Sequence, residues 1–130
     1  DFDAFRPDAI IINLGTNDSF RVRASGQDPK EEQHFEDRYL AFLHQLRRLN
    51  GTAPVIACTL GSMDYYLYDT ILRAVQRYQQ ETGDERVFCL KYGGMFFPTE
   101  GTGALGHPSA KSQQRMGREL AAALTPWLNK

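Results

Sequence analysis

The sequence has few cysteines, no surplus of charge of either sign and no long apolar run, and each shortage removes a class of protein. Its two cysteines, Cys58 and Cys89, lie in separate short apolar stretches without CxxC spacing. A disulfide-stapled miniprotein is thereby excluded, and two buried thiols are expected rather than a bridge or a metal pair. Fifteen Lys and Arg against sixteen Asp and Glu leave a net charge of −1, which gives no electrostatic footprint for nucleic acid or an anionic membrane. The longest uninterrupted apolar stretch, Ala9-Ile10-Ile11-Ile12, falls far short of the ~20 residues that cross a bilayer. No charged-then-apolar leader opens the chain. What remains is a composition of 42% hydrophobic and 24% charged residues over 130 positions, which fits one folded, soluble domain.

The apolar residues are organised in two periods. Asp8 to Leu14 and Pro54 to Leu60 are β-branched or apolar runs closed by Gly15 and Gly61, and Arg86 to Leu90 is a shorter one before Gly93-Gly94. Continuous runs without polar alternation predict strands buried on both faces, as in a parallel sheet. Between them, Phe35, Tyr39, Phe42, Leu43 and Leu46 form a helical stripe within a helix expected from about Pro29 to Leu49 and stopped at Asn50-Gly51. Leu67, Ile71, Val75 and Tyr78 mark a second helix over 64–82, and Met116, Leu120, Ala123, Leu124 and Trp127 a third over 109–128. Arg23 to Lys30 is the most linker-like stretch. Strands alternating with helices predict a three-layer α/β/α, flavodoxin-like architecture with a parallel sheet. Ligands of such sheets bind beyond the carboxyl ends of the strands, so the residues that follow Leu14, Leu60 and Leu90 are the ones to inspect.

After the first strand comes Gly15-Thr16-Asn17-Asp18. One reading is a plain turn, because Asn and Asp hydrogen-bond their own backbone. The other is that Asn17 projects its amide NH₂ into the crevice as a donor to a developing oxyanion. After the third strand, a Gly- and aromatic-rich segment ends in Gly106-His107-Pro108 before the last helix. A lone His on a loop is ordinarily a solvated residue, but the topology brings His107 to the same sheet edge as Asn17, and Pro108 suits a fixed helix entry. Tyr65, Tyr66, Phe96 and Phe97 follow the second and third strand ends; as core or as a sugar-stacking wall, both readings stay open. His34 and His44, ten residues apart on one predicted helix, lie about 280° apart around it and cannot share a metal.

Gly15-Thr16-Asn17-Asp18 resembles the third conserved block (GxND) of the SGNH, or GDSL-like, hydrolases, and His107-Pro108 leading into an amphipathic helix resembles their fifth block. The stretches Phe5 to Asp18 and His107 to Met116 are most similar to the carbohydrate acetylesterases of that superfamily, the acetylxylan-esterase-like branch. The resemblance covers almost the whole chain. It implies ester hydrolysis by a serine nucleophile, with His107 as general base and Asn17 as an oxyanion-hole donor, supported by Gly15 and Asp18. It also implies an acetylated carbohydrate, xylan-like polysaccharide or oligosaccharide, as substrate, no metal or organic cofactor, and a secreted or cell-surface location. Tyr65, Tyr66 and Phe97 would be the substrate-binding aromatics.

The sequence departs from that family at three points. No GDS motif and no second-block glycine are present, so the nucleophile is expected upstream. Residues 1–130 then read as the C-terminal part of a single domain that lacks its first strands, with Asp1 an internal boundary and an upstream segment or a second copy completing the sheet. The family's usual Asp three residues before the catalytic His is Ala104 here; a backbone carbonyl near Leu105 or, less favoured, Glu100 would have to orient His107. Ser19 and Ser62 lie near the crevice edge but lack a nucleophile-elbow context. The rival readings are a catalytically inactive, degenerate homologue and a flavodoxin-like binding module whose GTND is an ordinary turn.

Overall fold

In the computed structural model, which describes residues 4–128, three strands form one parallel sheet in the order β1 (Ala9–Asn13), β2 (Val55–Leu60), β3 (Val87–Lys91). Register aligns Ile12 with Cys58 and Cys58 with Cys89. The two cysteines are therefore neighbours across the sheet, yet both are free thiols. Burial pushes each of them up to about 12.

β2 is buried along its whole length, as a continuous apolar run predicts. The two outer strands are not. Ile11 of β1 remains 43% exposed and β3 is only half-buried beyond Val87, because among the described residues each has a neighbour on one side alone. The expectation of strands buried on both faces holds for β2 and fails for β1 and β3. Asp1, where the sequence suggests a boundary, lies outside the described residues.

Helices cover both faces. Ile12, Ile56, Cys58, Leu60 and Val87 point to one side, where they pack on Leu43 of α2 (Pro29–Asn50) and on Ile71, Ala74 and Tyr78 of α3 (Tyr68–Thr82). Val55 and Ala57 point to the other, where Leu124 of α5 (Ala110–Leu128) covers them and Phe88 stacks on Trp127 at 5.5 Å. This is the three-layer α/β/α arrangement that the alternating pattern predicts.

Local chemistry explains where the helices begin. Asp28 caps α2 by accepting the Lys30 N–H at 2.9 Å, with Pro29 in the first turn. Ser109 caps α5 by accepting the Ser112 N–H at 3.2 Å. α3 starts at Tyr68 rather than Asp64, because Asp64 accepts the Tyr66 N–H at 2.8 Å and so holds 64–66 in a side-chain turn.

The largest departure from expectation is α1 (Thr16–Ala24), a nine-residue helix that takes up most of the segment between β1 and α2. Residues Thr16, Asn17 and Asp18 are its first turn, not a plain turn, and within Arg23 to Lys30 only residues 25–28 connect the end of α1 to the start of α2. The helix buries only Ser19 and Val22, so it carries no apolar stripe for periodicity to detect. Two shorter elements, α4 (Phe97–Glu100) and a 3₁₀ turn at Ala104–Gly106, punctuate the segment between β3 and α5.

Candidate active site

A cavity of about 530 Å³ opens beyond the carboxyl ends of the strands. Its wall is built from three places in the chain: Asn13 at the end of β1 with Thr16, Asn17 and Phe20 of α1; Gly61 and Met63 after β2; and His107, Pro108, Gln113 and Met116 around the start of α5. Asn17 and His107, ninety positions apart, thus line one cavity.

Gly15 makes the turn from β1 into α1. Its φ of +128° is strained for any other residue, and a Cβ there would sit 3.2 Å from Leu60 Cδ1. The buried Ser19 hydroxyl donates to the Gly15 carbonyl at 2.8 Å, and the Ser19 N–H reaches the same oxygen at 2.9 Å. Ser19 is therefore committed to the turn and does not line the cavity. The turn leaves Asn17 exposed on the cavity side, whereas Asp18 lines a separate, smaller cavity of about 140 Å³ with Arg21 and His34.

His107 is exposed, on a loop whose neighbour Leu105 is 97% exposed. Its main chain is held on both sides: His107 N–H donates to the Ala104 carbonyl at 3.0 Å and the Gly103 N–H donates to the His107 carbonyl at 2.8 Å. Among the described residues no carboxylate or carbonyl reaches its imidazole. Glu100 is occupied elsewhere, accepting from Arg115 Nε at 2.6 Å and from the Ser112 hydroxyl at 2.7 Å. Hydrogen bonds from Arg115 and then Ser112 hold the Glu100 carboxyl down at about 2.

The aromatic residues expected as a sugar wall lie elsewhere. Tyr65 packs its ring over Gly61, where a Cβ would come within 2.6 Å of Tyr65 Cε1. The Tyr65 hydroxyl is buried without a hydrogen-bond partner among the described residues. Tyr66 donates to Glu32 at 2.6 Å beneath Arg23, and Phe97 is 55% exposed on α4. None of the three lines the cavity. Its apolar wall is instead Phe20, Met63 and Met116. Phe20 follows Asn17, and Met116 follows Gln113, by three positions on one helix face; the first spacing becomes visible only once α1 is known.

Ser62 is 5% exposed, and its hydroxyl, like that of Tyr65, finds no partner among the described residues. His44 pairs with Glu81 at 2.9 Å, whereas His34 lines the small cavity with Asp18. No group of three or more His, Cys, Asp or Glu side chains is gathered to hold a metal among the described residues, and no described helix is long and apolar enough to cross a membrane.

A parallel sheet between helical layers, with a cavity at its carboxyl edge lined by an asparagine in a first helical turn and a histidine from a late loop, defines a domain of the SGNH-hydrolase α/β class. The model of the GDSL-like lipase/acylhydrolase family matches residues 1–120, and the chain belongs to that family. Among solved structures it is similar to an acetyl xylan esterase, Est2A, from the rumen bacterium Butyrivibrio proteoclasticus, with a TM-score of 0.89 and 26% identity. It is also similar to a family two carbohydrate esterase from Clostridium thermocellum in complex with cellohexaose, with a TM-score of 0.80 and 26% identity. The matches cover 99% of this chain but only 39% and 38% of those two chains. No curated protein matches.

Proposed function

We propose that this chain contributes Asn17 and His107 to the active site of a serine esterase that removes O-acetyl groups from carbohydrate, the nucleophilic serine lying upstream of residue 1. The observation that carries the reading is that Asn17 and His107 line one cavity at the carboxyl edge of the sheet. Membership of an acylhydrolase family supports ester hydrolysis, and the likeness to two carbohydrate esterases supports the substrate class. His107 would take the serine proton and return it to the leaving sugar hydroxyl. Asn17, in the first turn of α1 where the helix end already favours negative charge, would donate to the tetrahedral oxyanion. The open, partly apolar wall of Phe20, Met63 and Met116 would take the acetyl methyl group and one sugar face.

A second reading is a family member that keeps the fold without the reaction. It is favoured by the imidazole of His107 having no carboxylate partner among the described residues.

One experiment separates the two. Release of p-nitrophenol from p-nitrophenyl acetate, and of acetate from acetylated xylan, would be measured for residues 1–130 and for the chain extended upstream through its gene. Activity of the extended chain is expected, with a ~100- to 1,000-fold loss in Asn17→Ala and a ~100- to 10,000-fold loss in His107→Ala. An extended chain that contains a GDS serine and hydrolyses neither ester would overturn the esterase reading.

A further inference from the structure

His107 stands beside the stem of a small closed loop whose tip is the exposed Leu105. Thr102 and Pro108 pair as an antiparallel bridge at its stem, and the Gly103–His107 and His107–Ala104 main-chain bonds close its interior. The imidazole has no described partner of its own, so its position depends on where this stem is anchored. α5 anchors it: Gln113 Nε2 and Lys111 Nζ make long bonds of 3.5 Å to the Pro108 and Thr99 carbonyls, and the short bonds come from Arg115. Arg115 donates through Nε to Glu100 Oε1 at 2.6 Å, through Nη1 to Glu119 Oε1 at 2.6 Å, and through Nη2 to the Gly94 carbonyl at 2.9 Å and Glu100 Oε2 at 3.3 Å. Two further bonds complete the clamp: Glu119 Oε2 accepts the Gly93 N–H at 2.9 Å, and the fully buried Ser112 donates to Glu100 Oε2 at 2.7 Å.

Gly93-Gly94 lies at the start of the β3–α5 connection, and Glu100 ends α4 two residues before the stem at Thr102. Arg115 therefore ties the start of the connection and the base of the histidine loop to the same helix, and that helix places Gln113 and Met116 in the cavity wall. The planar fork of a guanidinium suits this task, since it meets a carboxylate with two bonds and still reaches two other acceptors.

We propose that Arg115, acting with Glu100, is a positioning residue for His107, fixing the histidine loop against α5 so that the imidazole holds its place over the cavity. The inference rests on the reading of His107 as general base. Arg115 does not touch substrate. Its loss lets the loop drift, and a shift of about 1 Å in a catalytic group costs on the order of 100-fold in rate.

A double-mutant cycle in the esterase-active, upstream-extended chain tests this. Arg115→Ala is expected to lower kcat by ~10- to 100-fold with KM nearly unchanged, and to lower it no further when His107 is already Ala. Arg115→Lys, which keeps the charge but not the fork, should fail to restore the rate. Glu81→Ala, which removes an exposed pair with His44 between α2 and α3, should leave kcat as it was.

An equal loss from Arg115→Ala in both backgrounds would mean a general structural role and would overturn the proposal, as would no loss in either. If Arg115→Ala does not fold, Glu100→Gln takes its place in the cycle with the same expectations. A His107→Ala variant that retains full activity would instead sink the reading of His107 as base, and is distinguishable because it appears before Arg115 is altered.

Discussion

Gly61 shows how one backbone atom shapes the cavity. It lies in the wall with φ +125°, and its Cα sits beneath the Tyr65 ring, where a Cβ would approach Cε1 to 2.6 Å. Gly61→Ala therefore adds a strained backbone to a steric clash and is expected to destabilise the fold by about 1–3 kcal/mol. Urea unfolding followed by circular dichroism measures the change, and a neutral outcome would mean that Tyr65 swings away freely. At this scale the sequence was informative where a residue's type limits what it does. Asn17 and His107 were legible because few side chains supply an amide donor and a neutral-pH base. The role of Tyr65 was not, because an aromatic residue after a strand reads equally as core or as ligand wall until its neighbours are known. Met116 reads as one more apolar residue of its helix, and Phe20 and Met63 carry no pattern that marks them as cavity wall.

Elements are fastened to one another by buried charge as well as by apolar packing. Arg47, at the end of α2, donates to Asp84 at 2.6 Å and to the carbonyls of Pro54 at 2.6 Å and Arg86 at 3.0 Å. It thereby joins α2 to the entries of β2 and β3. Its side chain is 8% exposed and that of Asp84 12%, so Arg47→Ala removes the cation paired with a part-buried carboxylate, although Asp84 keeps the Tyr78 hydroxyl and the Arg86 N–H. A loss of about 3 kcal/mol is expected from breaking such a pair. Thermal unfolding would register it, and a variant as stable as the parent would show that water replaces the guanidinium. Nothing in the sequence marks this bonding, since Arg47 looks like one more polar residue at a helix end.

The helices themselves were legible to the degree that each carries an apolar stripe. Apolar stripes mark α2, α3 and α5 to within a few residues, whereas α1, with only Ser19 and Val22 buried, gives periodicity nothing to find.

For the molecule as a whole, acid sensitivity follows from its carboxylates. Burial alone would raise the Glu36 carboxyl, but hydrogen bonds from Arg77 and Arg73 outweigh it and leave it below its ordinary 4.5. Glu100 is held at about 2. Groups lowered in the folded state stabilise it above their unfolded values, and that contribution is lost as pH falls through the folded ones. The unfolding midpoint should therefore hold steady from neutrality to about pH 5 and decline between about 4.5 and 2. A midpoint that rises on acidification would contradict both assignments.

The outer edge of β1 has no strand partner among the described residues, and Ile11 and Leu14 are 43% and 52% exposed. Open apolar edges pair with other chains. Residues 1–130 alone are expected to self-associate in sedimentation velocity, and Ile11→Lys to reduce it. A monodisperse monomer at high concentration would refute this.

By itself the sequence determined the class of fold and singled out Asn17 and His107 as candidates for its chemistry. Continuous β-branched runs and 3.6-residue stripes are local consequences of burial, and they persist in any arrangement that buries them. Only the tertiary structure decided which of those residues meet. The carboxyl edge of a parallel sheet gathers Asn17, Gly61 and His107 from three separate connections, turns Asp18 away into another cavity, and gives Glu100 to Arg115 rather than to the histidine. Those outcomes depend on register, on the unheralded helix after β1 and on the anchoring of one loop, and all of these are set by contacts between residues far apart in the chain.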